Sequence, residues 1–340
     1  MGKRNPAQVT LKDIAAQTGY SINTVSHALK NKPDISAATR AQIREVAESL
    51  GYVGNALAES MRTGCTRTVA LILGDIANPH FALIACDAER TMRAAGYNTI
   101  LYNTEESPDL ELHAIRSAAA QKVDGILICP TQRAARNLHY LKQCGIPFAL
   151  VGRCFPDEAL PGAVLDDTQA GWLATRHLLE NGHLEILLLD GPDEISSARQ
   201  RRVGYLRALA EVGVPAEPSR ICPVPVSMGQ CAAQMEAVLQ HGVRFSAIVA
   251  FSDMIALEAI TVLNRHGLRV PDDVSVIGFD NILAQFPLPI SLTSVGASGP
   301  SLASCAAMQL IGEMRGEPQQ PVVLPAVLES RGSVRRVAQP

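Results

Sequence analysis

Apolar positions recur along this chain in two rhythms, and the change between them near residue 64 divides it. Before that point the spacing is three to four residues, the period of helices with one buried face. Ile14 and Ala15 face inward on a helix over 11–18. Val25 and Leu29 lie one turn apart over 22–30, and Ile43, Val46, Ala47 and Leu50 keep the spacing through a third helix ending at Leu50. The starts and stops agree with this reading. Thr10, Ser21 and Ser36 stand at N-cap positions, with Asp13 at the third helical position after Thr10 as in a capping box. Gly19 and Gly51 stand where left-handed residues close helices.

After Gly64 short continuous apolar runs alternate with helical stretches. The runs at 69–73, 99–102, 125–129, 148–151, 163–165, 186–189, 247–250 and 274–278 read as strands. Stretches at 81–95, 111–121, 168–181, 203–212, 229–241 and 253–266 read as helices. Strands without polar alternation, separated by helices, indicate parallel sheets covered on both faces. Eight such units are too many for one comfortable sheet, so two lobes are expected. The predicted fold class is an N-terminal all-α headpiece followed by a two-lobed α/β domain. No segment repeats at a fixed short period.

The first segment carries its own chemistry. The spacing Ala15-x-x-x-Gly19-x-x-x-x-x-Val25 places a small residue, a turn glycine and a branched anchor as a helix-turn-helix needs them. Such a turn leaves the outer face of the second helix free to enter a major groove. That face holds Ile22, Asn23, Ser26, His27 and Lys30, rich in hydrogen-bonding groups and without an acid. A three-helix scaffold that binds protein is the alternative. Charge favours DNA modestly. Residues 1–64 carry eight Lys/Arg and five Asp/Glu, whereas the whole chain has a net charge of −3, so the body is the acidic part.

In open parallel sheets ligands sit beyond the carboxyl ends of the strands. Those ends hold 75–81 (DIANPHF), Gly152-Arg153, the stretch from Asp190 to Arg202, Ser252-Asp253 and Asp280-Asn281. Carboxylates, arginines and an aromatic gathered at one cleft suit a hydroxyl-rich ligand. Asp253 is expected to be a helix cap rather than a contact, and His183 a structural loop residue.

Several stretches resemble one family. Thr10-Leu11-Lys12-Asp13-Ile14-Ala15, 21–26 (SINTVS), Ile35-Ser36-x-x-Thr39-Arg40 and Leu50-Gly51-Tyr52-Val53-x-Asn55-x-Leu57-Ala58 are similar to the headpiece and hinge of the LacI/GalR repressors. The likeness continues through Ile146-Pro147, Leu165-Asp166-Asp167 with Gly171, Asn181-Gly182-His183, Gly191-Pro192, Arg201 with Gly204-Tyr205, Ser252-Asp253-x-x-Ala256 and 272–280 (DDVSVIGFD). It implies a periplasmic-binding-protein-like body. On DNA it implies that Ile22, Asn23 and His27 read bases and that Thr24, Ser26, Asn31 and Thr39 meet phosphates. A hinge helix from Asn55 to Met61, including Leu57 and Ala58, would fold on DNA and enter the minor groove in pairs. His27 stands in place of a common arginine, and Met61 in place of the usual wedge leucine.

For the effector the resemblance implies Arg201 and Asp280 as principal contacts, both placed on strands of the second lobe. Ser252 stands where relatives often have asparagine, and Asp75, His80, Phe81 and Ser197 line the same cleft. Val224 replaces an aromatic on which many relatives stack the ligand. The implied domains are the headpiece at 8–54, the hinge at 55–64 and an effector-binding and dimerisation domain at 65–332. Lobe 1 would hold about 66–165 and 294–321, lobe 2 about 166–293 and 322–332, and 333–340 would be a tail. The chain would cross between lobes near Asp166, Ser291 and Pro321.

The remaining features narrow the function. Eight cysteines are scattered without a Cys-x-x-Cys pair or zinc spacing, and no apolar run approaches a membrane span. A cytoplasmic protein without cofactor or metal is expected. No dinucleotide fingerprint, phosphate loop, nucleophile elbow or His-Glu-x-x-His is present, so an enzyme is not expected. The C-terminal segment has no leucine heptad for a tetramer. The expectation is a homodimeric DNA-binding regulator, a repressor, acting on a near-palindromic operator, its affinity modulated by a small polar, sugar-type effector bound between two lobes. The alternative is a stand-alone small-molecule binding protein.

Overall fold

The computed structural model describes residues 9–54, 56–227, 229–284 and 291–337, without the side chains of 56–59. The chain forms two compact units, residues 1–64 and 65–340. The first contains α1 (Leu11–Thr18), α2 (Ile22–Leu29), α3 (Ala37–Ser49) and α4 (Ala56–Thr63). Thr10 donates its backbone N–H to Asp13 Oδ2 at 2.8 Å. Ser21 Oγ and Ser36 Oγ accept from the amides of Thr24 and Thr39, each at 3.1 Å. These bonds satisfy N–H groups that the helices leave unpaired. Gly19 turns the chain at φ 75°, and Ile14, Val25, Ala28, Ile43 and Ala47 form the core. Leu29, Val46 and Leu50 pack at its edge.

The second unit holds two six-stranded sheets. The first contains β1 (Thr68–Leu73), β2 (Asn98–Asn103), β3 (Gly125–Ile128), β4 (Phe148–Val151), β5 (Gly162–Leu165) and β11 (Val322–Leu324), in the order β11-β5-β4-β3-β1-β2. The second contains β6 (Ile186–Asp190), β7 (Ile221–Pro223), β8 (Ala247–Ala250), β9 (Ser275–Phe279), β10 (Thr293–Ala297) and β12 (Ala326–Glu329), in the order β12-β10-β9-β8-β6-β7. All pairings are parallel except that of β10 with β12.

Alternation sorts the side chains between the two faces of each sheet. Val69, Leu71 and Leu73 pack with α5 (Pro79–Ala94) and α12 (Leu302–Met314), whereas Ala70 and Ile72 pack with α6 (Pro108–Ala120) and α7 (Ala135–Gln143). In the second sheet Ile186 and Leu188 face α8 (Asp167–Glu180) and α9 (Ser196–Glu211). Leu187 and Leu189 face α10 (Cys231–Gln240) and α11 (Asp253–Arg265). Both faces are covered, which is why these strands read as unbroken apolar runs. Among the described residues no helix is long and apolar enough to cross a membrane.

The structure corrects the sequence reading of the fold in several places. Strand β10 lies in the second sheet, where Ser294 pairs with Gly278, and β11 lies in the first, where Val322 pairs with Ala163. The last two lobe crossings therefore fall between β10 and α12 and between β11 and β12, not near Ser291 and Pro321. Neither Arg201 nor Asp280 is on a strand: α9 begins at Ser196, its first two turns too polar to show a buried stripe, and Asp280 follows the last residue of β9 in a turn. Residues 333–337 are no free tail. Val276 N donates to Ser333 O at 2.9 Å and Val337 N to Asn181 O at 2.8 Å, so this segment docks on the second lobe. The short strands β7, β10, β11 and β12, and helices α7 and α12, were not legible from periodicity.

Candidate functional site

Two sites are built here, one in each unit. In the headpiece, α2 exposes Ile22 (44 %) and Asn23, while Ser26 and His27 are half-buried on the same helix. His27 Nδ1 is 2.6 Å from Asp34 Oδ2, a pairing that sequence did not suggest. The hydrogen bond from His27 holds the Asp34 carboxyl below its usual range. It also fixes the ring, leaving Nε2 as the edge free to meet another group. Asn31 lies in the left-handed region at φ 57° and accepts from Arg44. Thr24 Oγ1 is 2.9 Å from Ser21 Oγ, and Thr39 Oγ1 accepts from Ser36 Oγ at 2.9 Å. Both threonines therefore sit in the first turns of helices, where N–H groups and the dipole favour anions. Met61 is 89 % exposed. Asn55 and the side chains of Leu57 and Ala58 lie outside the described residues.

In the body, the carboxyl ends of the strands converge on one cleft. Asp75, His80, Phe81, Ser197, Arg201, Ser252 and Asp280 all line it, joined by Glu106, Arg153 and Phe251. On the first lobe Asn78 caps α5, its Oδ1 accepting from His80 N at 3.0 Å, which sets His80 and Phe81 at the helix start. Below them Arg153 donates to both oxygens of Glu106, at 2.9 and 2.8 Å, and to Pro130 O at 2.9 Å. Both partners are buried. Sequence placed Arg153 at its strand end without a role and missed Glu106. No local pattern marks a partner 47 residues away.

On the second lobe Arg201 is held from several sides. Its Nε donates to Asp167 Oδ1 at 2.8 Å and its Nη1 to Phe251 O at 2.5 Å. The guanidinium lies over the Phe279 ring at 4.4 Å from the centroid, and Nη2 is 3.8 Å from Asp280 Oδ1. Burial pushes the Asp167 carboxyl up, and Arg201 opposes that shift. The pair exists because α8 and α9 cross closely. A Cβ on Gly171 would lie 2.1 Å from Arg201 O, and one on Gly204 2.1 Å from Thr168 O. Any larger residue at either position would push Asp167 away from Arg201.

Three groups cross between the lobes. His80 Nδ1 is 3.7 Å from Asp280 Oδ1. Ser196 N donates to Gln132 Oε1 at 2.8 Å, Gln132 Nε2 to Cys154 O at 2.5 Å, and Cys154 N to Ser196 Oγ at 3.1 Å, closing a ring of bonds. Arg133 Nε pairs with Glu194 Oε1 at 2.8 Å. The loop carrying Gln132 is anchored by buried Glu111, which accepts from Thr131 N at 2.5 Å and from Asn137 Nδ2 at 2.8 Å. Burial raises the Glu111 carboxyl, and these donors counter the rise.

Three further expectations concern this lobe. Val224, expected to stand in for an aromatic, is buried in the core, and the cleft draws its rings from Phe81 and Phe251. His183 is buried between Ser246 Oγ at 2.9 Å and Arg335 O at 3.1 Å, a structural role. Asp253 is not the cap of α11. Ser252 is, its Oγ accepting from Ile255 N at 3.2 Å. Asp253 is fully buried and its carboxyl is pushed up to about 7, first by burial and then by Asp280.

A folded value above the unfolded one means that the native state keeps a proton the unfolded chain has lost. The associated stability is full below the ordinary carboxyl pKa of 3.8 and is lost as pH rises to about 7. Wild type should therefore lose stability relative to Asp253→Asn by about 1.4 kcal/mol per pH unit over that window, and by no more above it. Urea unfolding of both proteins from about pH 5 to about pH 8 checks this. A pH-independent difference would contradict it.

Comparison with known proteins follows the same division. Residues 10–55 match the model of bacterial regulatory proteins of the lacI family. Residues 66–325 match that of periplasmic binding proteins and the sugar binding domain of the LacI family. The HTH-type transcriptional repressor PurR of Aliivibrio salmonicida (strain LFI1238) is 32% identical over 286 residues, 83% of this chain and 86% of that protein. The HTH-type transcriptional regulator GalR of Escherichia coli (strain K12) is 31% identical over 298 residues, 88% and 87% of the two chains. A structure of the transcriptional regulator CelR–cellobiose complex superimposes with a TM-score of 0.71 at 28% identity, covering 96% of this chain and 100% of that one. The lac repressor dimer bound to operator and the anti-inducer ONPF shares the fold, with a TM-score of 0.85 at 23% identity over 97% and 100% of the chains.

Proposed function

The chain belongs to the LacI family of bacterial regulatory proteins, a family of non-enzymatic DNA-binding transcriptional regulators, and from that premise we propose that it is a repressor whose operator affinity is set by a small hydroxyl-rich effector held between its lobes. The observation that carries this reading is the set of seven side chains, Asp75, His80, Phe81, Ser197, Arg201, Ser252 and Asp280, converging on one cleft from both lobes. Carboxylates that accept, a guanidinium that donates and rings that stack are the means of binding a polyol. The relative solved with cellobiose supports a sugar-type effector. The family match of the headpiece removes the stand-alone binding protein as a competing reading. The test is a thermal-shift panel of sugars, sugar phosphates and purines, followed by operator titration with each compound that stabilises the protein. If no stabilising compound changes operator affinity, the reading fails.

On DNA, Ile22, Asn23 and His27 read base edges, while Thr24, Ser26, Asn31 and Thr39 position the phosphates. The hinge, with Asn55 just before α4 and Leu57, Ala58 and Met61 on it, enters the minor groove and contacts it through these four residues. The Asp34–His27 pair supports this division by holding the imidazole in one orientation. His27→Ala is expected to change the ranking among operator variants by about 1–3 kcal/mol. Thr39→Ala should weaken all variants evenly. Competition titrations against a library of operator variants decide between these outcomes, and an unchanged ranking for His27→Ala removes it from the reading set.

The active unit is a homodimer on a near-palindromic site, because a single headpiece makes too few contacts to hold an operator. Sedimentation at micromolar concentration, with and without operator DNA, should give a dimer, and a stable monomer in both would rule this out.

A further inference from the structure

The segment that carries Asp280 has an uncommon backbone. Asp280 and Asn281 follow one another in the left-handed region, at φ 93° and 50°. Side chains seldom adopt that conformation unless their surroundings impose it. Here they do. Asp253 Oδ2 accepts from Ile282 N at 2.9 Å. Ser294 Oγ accepts from Asn281 N at 3.0 Å and donates to Asp253 Oδ1 at 2.6 Å. Asp280 N donates to Val295 O at 2.9 Å. Arg331 Nη2 donates to Asn281 Oδ1 at 2.5 Å. The amides of three successive residues, 280–282, are thus tied to β10 and to the first residue of α11. Room for the Asp253 carboxylate depends on residue 278 of β9. A Cβ on Gly278 would lie 2.2 Å from Asp253 Oδ1.

We infer that Asp253 is a positioning residue for the effector cleft: with Ser294 it locks the 280–282 turn in the left-handed form that aims Asp280 at Arg201 and His80. Its functional consequence rests on the cleft reading proposed above. Asp253 does not cap its helix, since Ser252 does, and it is fully buried. A carboxyl group is costly to bury whether or not it keeps its proton, and its oxygens are useful only where hydrogen-bonding partners converge on them. At this position the donors are the amide of Ile282 and the Ser294 hydroxyl, which holds the preceding amide of Asn281. The carboxylate and the hydroxyl therefore act together on one turn.

The experiment is hydrogen exchange read by mass spectrometry on the full chain, with peptides covering 279–284. In Asp253→Ala the amides of Asn281 and Ile282 should exchange on the order of tenfold faster than in wild type, while peptides from β6 and β8 are unchanged. Asp253→Asn should restore protection, because its carbonyl can accept from Ile282 N and its amide can donate to Ser294 Oγ. If Asp253→Ala does not fold, Ser294→Ala, which leaves Asp253 in place, should show the same local acceleration. A crystal structure of either variant should show Asp280 Oδ1 no longer within about 4 Å of both His80 and Arg201. Equal exchange in wild type and variants, a uniform rise across the lobe, or no recovery in Asp253→Asn would each overturn the assignment. If the turn loosens as expected but Asp280→Ala keeps a full ligand response, the brace stands and the cleft reading falls.

Discussion

Asp280→Ala is expected to abolish the response of operator binding to the effector while leaving unliganded operator affinity nearly unchanged. A ligand can shift the lobes only through differential contact with their two arrangements. Asp280 faces Arg201 on its own lobe and His80 on the other, at 3.8 and 3.7 Å, so a molecule bound there senses the angle between lobes. Coupling of this kind is typically about 1–3 kcal/mol, or roughly 5- to 150-fold in operator affinity. The fold should survive the change. Arg201 keeps Asp167 at 2.8 Å, so no buried cation is left uncompensated. Removing Asp280 also removes a charge that pushes the Asp253 carboxyl up. Asp280→Asn is the companion variant, because asparagine tolerates the left-handed backbone better than alanine. Operator titrations with and without an effector found by the panel give the answer. A full ligand-dependent shift in both variants would mean that the effector binds elsewhere.

The largest effect on stability is expected from Arg153→Ala. Glu106 is buried and receives two hydrogen bonds from that one guanidinium. Truncating the arginine leaves a buried carboxylate without its counter-charge, and Pro130 O without a donor. Breaking a buried pair from one side costs about 3–5 kcal/mol. Arg153→Met combined with Glu106→Gln should recover most of that loss, because no net charge then stays buried. The surface pair Arg90–Asp87, whose arginine is 71% exposed, provides the contrast. Its removal should cost about 0–1 kcal/mol. Urea unfolding of the four proteins measures all of this. If Arg153→Ala costs less than about 1 kcal/mol, the cleft floor is wetter than its burial indicates.

Much of this molecule follows from local rules that a linear chain displays. Ser21 and Ser36 cap helices because their hydroxyls reach amides three residues on, and both partners lie in one short segment. The runs of β1, β3, β6 and β8 are legible because strands covered on both faces carry no polar alternation. Once those strands are known, the rule that ligands sit beyond their carboxyl ends brings seven distant side chains to one cleft, as the structure places them.

What the tertiary structure alone decided is of another kind. Strands β10 and β11 are short, and which sheet each joins is set by the register of Ser294 with Gly278 and of Val322 with Ala163. Neither strand contains that information, because a pairing partner is chosen by the path of the whole chain. The same is true of Glu106 with Arg153, His27 with Asp34, and Ser196 with Gln132 and Cys154. Asp253 read locally as a cap, since it opens a helix. It became a brace only because β10 and the 280–282 turn come together above it. Periodicity reports how one segment meets its surroundings. Ion pairs and hydrogen bonds between segments depend on a few tenths of an ångström in three dimensions, which only the folded chain sets.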